Sequence, residues 1–378
     1  MAARVLIAGA GPVGLALGLA LARRGSKVSV LEKRPGLSAA AGTALWYPPA
    51  LAILGRLGVL GPLLPQGARI AARAWLRPDG HVRATLPMAL LDGATPFPFC
   101  WHVDQARVTS ALATVLRGMP GCEIVFGAEV VGVAQHAGGV VVALADGQQM
   151  HGGWLVGCDG ARSRIRDAAG IAADMGGVQH VLHARTMADL KALNPALHDW
   201  NDIRTAAGLC TLLRLPGRGW QAAIALKREA AAGGALPDSA TMLRHFLPWA
   251  SGTFPIADDA IRCLPRLSAR HYRAGRVLLA GSAAHAECDG SGEALNRGLH
   301  EAWTLAAALA APAPDAAASA WAAVRRDVRA ALAARAKAGD GVPEAVIAGG
   351  RETRLDWLRG ALLFESAGAG APADSVAG

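Results

Sequence analysis

The stretch RVLIAGAGPVGLALGLALARRGSKVSVLE, Arg4–Glu32, decides the fold. Its first part, Val5 to Ala22, is an apolar run of 18 residues without a charge. Length and hydropathy alone would allow a signal peptide or a marginal membrane span. Gly9, Gly11, Pro12 and Gly14 argue otherwise, because they fall together near the start and divide the run into a short strand, a turn and a helix. Only Arg4 precedes the run, which is a weak charged flank, and Arg23, Arg24 and Gly25 follow it as a helix stop. Lys27–Leu31 then reads as a second strand that ends at Glu32.

The order is strand (Arg4–Ala8), glycine turn, helix (Pro12–Arg24), strand (Lys27–Leu31), acid. That is the context a dinucleotide fingerprint requires. Gly9 permits the tight turn, Gly11 lets backbone approach a pyrophosphate, and Gly14 lets the helix pack closely on the strand. The helix start offers free N–H groups and the positive end of its dipole to phosphates. Glu32 lies 18 residues beyond Gly14, where a carboxylate accepts from ribose hydroxyls, and this favours FAD or NAD over NADP.

The remainder supports a globular chain of two domains. It has 378 residues, 52% hydrophobic and 18% charged, which excludes global disorder. Lys and Arg number 38 against 29 Asp and Glu, a net charge of +9 that favours anionic partners. No dense basic run marks a nucleic-acid tail, so no nucleic-acid partner is expected. The six cysteines stand singly without a CxxC pair, which argues against a zinc ribbon and for a reducing, cytoplasmic compartment. No integral membrane segment and no metal site are expected. A homodimer is left open.

Along the chain, a helix is expected around Ala50–Leu57, a hairpin over Ile70–Leu86, a helix at Val108–Leu116, and strands at Glu123–Phe126, Glu129–Ala134, Val140–Leu144 and Trp154–Val156. Ile171–Ile261 is less regular, with strands at Thr211–Leu215 and Gln221–Leu226 and a helix at Ser239–Phe246. Arg276–Ala280 is an apolar strand, Glu293–Leu309 a long helix and Ala317–Ala338 an amphipathic one, and Ser366–Gly378 reads as a flexible tail.

Three segments in this order resemble the FAD-dependent aromatic hydroxylases of the p-hydroxybenzoate hydroxylase fold. The first is Gly9–Gly14 with Glu32. The second is Cys158-Asp159-Gly160-Ala161-Arg162-Ser163-Arg164-Ile165-Arg166, similar to the family's DG motif. The third is Gly275–His285 continuing through Asn296 and Gly298, similar to its GD motif. Gly42–Leu60 and Trp321–Arg326 carry weaker likenesses, and the resemblance spans about residues 1–340. It implies FAD as cofactor, NAD(P)H as co-substrate, and hydroxylation of a small aromatic substrate with O₂.

By position, the resemblance assigns Gly9, Gly11, Gly14 and Glu32 to the adenosine diphosphate. It places Asp159 and Gly160 near the pyrophosphate, with Arg166 structuring that motif. Gln105 stands where many relatives have a pyrophosphate-binding Arg, and Arg107 is a substitute. Ser282, Gly292 and Asn296 fall to the ribityl and ring end.

The departures cluster at that end. Ser282 replaces the usual Asp, Asp289 replaces the usual Pro beside the flavin, and Ala294 replaces a Gly of the ring-cradling loop. A hydroxyl in place of a carboxylate loses the charge-assisted part of a hydrogen bond. A rival reading follows: an FAD-fold protein that has lost hydroxylation, running acid–base or other redox chemistry or binding without catalysis. Under it, Asp289 and His285, with Glu293, form a catalytic carboxylate–imidazole group.

Other candidates are weaker. Trp75, Trp200 and Trp220 could line an aromatic pocket. His180 and His183 read as surface histidines on a strand, and Ser163 and Ser282 lack a nucleophile elbow. The expected fold class is α/β: a Rossmann-like FAD-binding domain from 1–70, 100–170 and 265–345 with an interleaved β-rich substrate domain from 71–99 and 171–264, followed by a C-terminal extension, 346–378.

Overall fold

The structure, a computed structural model, describes residues 4–38, 42–226, 238–250, 254–286, 292–337 and 349–359. Strand β1 (Val5–Ala8), helix α1 (Pro12–Ala22) and strand β2 (Val28–Glu32) open the chain, and β1 and β2 pair in parallel. Every residue of α1 from Gly14 to Ala22 is buried. The apolar run is therefore a helix hydrophobic on all sides because it lies within the core.

The chain continues through β3 (Thr43–Trp46), α2 (Pro48–Arg56), β4 (Ala68–Ile70), β5 (Ala72–Leu76), β6 (Val82–Pro87), β7 (Cys100–Asp104) and α3 (Gln105–Arg117). Next come β8 (Cys122–Phe126), β9 (Val130–His136), β10 (Gly139–Leu144), β11 (Gln149–Gly152), β12 (Trp154–Gly157), α4 (Arg164–Ala168) and β13 (Ala173–Thr186). After these follow β14 (Trp200–Thr205), β15 (Gly208–Arg214), β16 (Trp220–Leu226), α5 (Ser239–Phe246) and β17 (Ile256–Ala269). The last described elements are β18 (Arg273–Ala274), β19 (Val277–Leu279), β20 (His285–Ala286), α6 (Glu293–Leu309), α7 (Pro314–Lys337) and α8 (Arg351–Leu358).

One sheet has the order β18-β19-β12-β1-β2-β8, parallel from β19 to β8. From β1 the chain fills first one side of the sheet and later the other. The carboxyl end of β1 is thus a topological switch point, where open α/β sheets bind ligands. A meander of β9, β10 and β11 and the helices α1, α3 and α6 enclose the same core, with Leu6, Ile7, Leu15, Leu19, Leu112, Val156, Leu278 and Leu305 fully buried.

The second large sheet has the order β20-β17-β13-β16-β15-β14-β5-β6. One face packs Leu182, Ile203, Leu212, Ala222 and Ile224 against Leu243 and Phe246 of α5. The opposite face carries Val181, His183, Arg185, Gln221 and Ala223 and looks toward a small sheet of β3, β7 and β4, whose Thr43 hydroxyl donates to the Gln221 side-chain oxygen. The chain between 171 and 261 is more regular than its sequence suggests. β13 and β17 are 14-residue strands paired along their length, with a register shift between Met175 and Val178 where Gly176 and Gly177 interrupt the pattern. Among the described residues no helix is long and apolar enough to cross a membrane. Ser366–Gly378 lies outside the described residues.

Candidate active site

At the switch point Gly9 adopts φ +102°, a left-handed backbone that side chains disfavour, and a Cβ there would sit 2.5 Å from the Cys158 carbonyl oxygen. Gly14 is pressed against the Gly9 carbonyl, so a Cβ there would overlap backbone. Gly11 differs from both: a Cβ there, or on Gly160, would meet no atom within 4 Å. The chain is thus closed beneath the turn and open above it. Gly11 is the N-cap of α1 without a side-chain cap, and Pro12 follows it. The first N–H groups of the helix therefore face this space without a side-chain partner, as an anion site needs.

Glu32 is buried beside the turn. Its Oε2 accepts from the Ala10 N–H at 2.9 Å and its Oε1 from the Arg34 N–H at 3.0 Å. Each carboxylate oxygen keeps a second acceptor position. The side chain therefore fixes the turn while leaving acceptors for a diol.

Asp159 organises its own segment. It accepts from the Ser163 hydroxyl at 2.6 Å and from the Ile165 N–H at 3.2 Å, and Ser163 caps α4 by accepting from the Arg166 N–H. The buried Arg166 donates to the carbonyls of Ala161 at 3.0 Å and Ala283 at 3.2 Å. One guanidinium therefore ties the second motif to the third.

In the third segment Ser282 is exposed in a single 3₁₀ turn, Gly281–Ala283. Asn296 is buried and its amide is fully engaged: Nδ2 donates to the carbonyls of Leu45 and Gly292, both at 2.8 Å, and Oδ1 accepts from the Tyr47 N–H at 2.7 Å. It holds β3 against the start of α6. Gly292, at φ +78°, lies so close to β3 that a Cβ would stand 2.8 Å from the Leu45 carbonyl.

His285, the imidazole of the catalytic group expected from the sequence, follows the turn of the third segment. It is buried, and its Nε2 pairs with Glu301 Oε2 at 3.0 Å, while the same oxygen accepts from the Gly281 N–H at 2.9 Å. The imidazole is thus engaged with a buried partner on α6. Asp289 lies outside the described residues, as do Gly290 and Ser291. Glu301 was missed in the sequence, although its helical register with Gly298, Ala302 and Leu305 puts it on the buried face.

Gln105 is half-buried at the first position of α3, and its N–H donates to the Gly42 carbonyl at 2.9 Å. Arg107 is exposed and bonds Gln66. Trp220 and Trp200 are core residues, and Trp75 meets Trp357 of α8 edge to face at 6.0 Å. His183 is not a surface residue: its Nε2 is shielded from solvent.

The family model described as "FAD binding domain" matches residues 2–336. The chain belongs to the FAD binding domain family. Among its relatives, the para-nitrophenol 4-monooxygenase of Pseudomonas sp. (strain WBC-3) is 28% identical over 319 residues, 81% of this chain and 77% of that protein. The 6-methylpretetramide 4-monooxygenase of Streptomyces rimosus is 29% identical over 318 residues, but the match spans 81% of this chain and only 55% of that protein. The solved structure of p-nitrophenol 4-monooxygenase PnpA from Pseudomonas putida DLL-E4 superposes with a TM-score of 0.76 at 22% identity, covering 95% of this chain and 93% of the other. This FAD binding domain protein therefore has the α/β fold expected from its three motifs. The open space above Gly11 and Gly160, the uncapped start of α1 and the acceptors of Glu32 fit the pyrophosphate and ribose of FAD.

Proposed function

We propose that this chain is an oxidoreductase of the cytoplasm, an FAD-dependent monooxygenase that uses NAD(P)H and O₂ to hydroxylate a phenolic or other aromatic small molecule. The observation that carries the reading is the combination at the switch point: a turn sterically closed below and open above, an uncapped helix start, and the buried Glu32. FAD, when bound, supplies the redox chemistry. The residues of this chain bind and orient. The N–H groups at the start of α1 hold the pyrophosphate, Glu32 accepts from the adenosine ribose, and Arg166 keeps the Asp159 and Ser282 segments in register. Ser282 offers an exposed hydroxyl at the ribityl end, and Asn296 with Gly292 holds β3 against the start of α6.

A titration of the purified protein with FAD tests this, followed by NADPH or NADH under air with a panel of phenols. Flavin bands that bleach with nicotinamide and return with oxygen, together with a hydroxylated product, support the reading. A protein that stays colourless overturns it. A second reading, FAD binding without hydroxylation, draws on Ser282 at the position of the usual Asp. It also draws on a relative that is 26% identical over 342 residues and named dialkyldecalin synthase, of Streptomyces rugosporus. Bound flavin that nicotinamide does not reduce would favour that second reading.

A further inference from the structure

The C-terminal helix α8 lies on the seam between the small sheet and the eight-stranded sheet. One apolar cluster joins Ile70 and Cys100 of the small sheet to Leu86, Trp200 and Leu213 of the large one. Met88 and Leu91, from the short turn after β6, belong to it too, and α8 packs on that turn. The helix adds three side chains to the cluster: Leu358, which is buried, and Leu355 and Trp357, which are half-buried. Arg351, Glu352, Thr353 and Asp356 are exposed. A helix of 8 residues is shorter than the roughly 12–15 that sustain a helix by themselves in water. The folding of α8 therefore depends on its docking.

A charged residue of the large sheet receives the helix. Ala74 and Leu76 of β5 pack beneath α5, so Arg73 and Trp75 of the same strand point to the opposite face. Arg73 Nη2 and Nε lie 2.6 and 2.7 Å from Asp202 Oδ2 on β14, and Asp202 also accepts from the Thr211 hydroxyl at 2.7 Å. The guanidinium carbon is 4.2 Å from the Trp200 ring centre, 4.9 Å from that of Trp75 and 5.9 Å from that of Trp357. These are distances of cation–π attraction. Two of the indoles and the carboxylate belong to the sheet, and the third indole belongs to α8. The aromatic box around Arg73 is thus complete only while α8 is docked.

We propose that α8 is a strap over the seam: latched to Arg73 through Trp357, it opens as a unit while the rest of the chain stays folded, and in opening it admits an uncharged aromatic molecule to the cluster at Met88 and Leu91. Local opening draws on elements with few buried contacts, and Leu358 is the one fully buried side chain of α8. The space such a molecule enters is the one that Leu355, Trp357 and Leu358 vacate. An uncharged ring suits it because the lining is apolar and a charge would have to shed its water there. The inference stands apart from the monooxygenase reading, since it concerns access and not chemistry.

The test is timed alkylation of the full chain by N-phenylmaleimide, itself an uncharged aromatic molecule, in a Cys288→Ser background and read peptide by peptide by mass spectrometry. Leu358→Cys places a thiol on the strap. Leu91→Cys, in a separate protein, places one beneath it and leaves α8 unchanged. Cys210, buried on the α5 side of the large sheet, reports global unfolding in both. The proposal expects both new thiols to react at least about a hundredfold faster than Cys210, at rates that urea below the unfolding midpoint hardly alters. Trp357→Ala should raise the rate at Leu91→Cys about tenfold and leave that at Cys210 unchanged, and Trp357→Phe should keep part of the closure. Reaction of Leu358→Cys no faster than that of Cys210 would overturn the proposal, because α8 would then leave only with the whole fold. Fast reaction of Leu358→Cys beside slow reaction of Leu91→Cys would overturn it too, because the helix would open without uncovering the seam. An unchanged rate in Trp357→Ala would overturn the latch.

Discussion

Glu301 Oε2 lies 3.0 Å from His285 Nε2 and 2.9 Å from the Gly281 backbone nitrogen, so one carboxylate oxygen on α6 holds both ends of the third motif's turn. Burial alone would raise the Glu301 pKa. The His285 imidazole, the Arg325 guanidinium and the Gly281 N–H together hold it below the usual carboxylate range. Removing the carboxylate takes away the acceptor of the buried Gly281 N–H and of His285 Nε2. Glu301→Ala should therefore lose about 1–3 kcal/mol of stability for each group left without it, read from the urea midpoint. Glu301→Gln keeps an acceptor for Gly281 and should lose clearly less. Equal losses would contradict this account of the contact.

Three histidines make the fold sensitive to acid. Burial, the largest cause in each case, pushes His102, His183 and His300 down to about 4 from the ordinary 6.5. Arg185 adds to this at His102, Arg262 and Arg185 at His183, and Arg325 at His300. The unfolded chain takes up these protons as pH falls below 6.5, whereas the folded chain does not until about 4. The stability they protect is thus complete above 6.5 and is lost as pH falls through that window. Each contributes up to about 1.4 kcal/mol per pH unit there. A thermal midpoint that falls steadily from pH 7 to pH 5 is expected, and a flat one would contradict it.

The glycine turn separates folding from binding. Gly11→Ala adds a methyl group to open space at an ordinary helix-cap conformation, φ −75°, so the protein should fold with a nearly unchanged melting temperature. The methyl group occupies the place of closest approach to the pyrophosphate, and FAD affinity should fall by about tenfold or more. Gly14→Ala drives a Cβ into the Gly9 carbonyl and should lower stability itself. Circular dichroism melts beside flavin titrations distinguish the two variants.

The cysteines should divide by accessibility. Cys100 and Cys210 are buried, and burial raises the pKa of both thiols, so the reactive thiolate is suppressed. Cys263 on β17 is exposed. In a Cys288→Ser background, timed alkylation read by mass spectrometry should mark Cys263 first and reach Cys100 and Cys210 only on unfolding.

The opening βαβ unit was legible because its glycines punctuate an otherwise uniform apolar run, and the observed ends of α1 and β2 differ from expectation by one or two residues. Helices α5 and α6 match the expected bounds, Ser239–Phe246 and Glu293–Leu309, since their periodic apolar faces are unbroken. Strands β13 and β17 were hidden for a physical reason. Gly176-Gly177 and Pro265 break their alternation, and the face that would show a clean apolar rhythm carries His183, Arg185 and Arg262 instead. The roles of Asn296 and His285 were equally invisible, because Leu45, Tyr47 and Glu301, which engage them, are brought near by the fold and not by adjacency.

The central claim is that the switch point of this chain holds FAD and that the flavin turns over. It is tested most directly by the visible spectrum of the FAD-loaded protein before NADPH, after NADPH without oxygen, and after air is admitted with a phenol. The account predicts flavin bands that bleach, return in air, and leave a hydroxylated phenol. A protein that takes up no FAD, and shows no loss of binding in Gly11→Ala because there is none to lose, would contradict it.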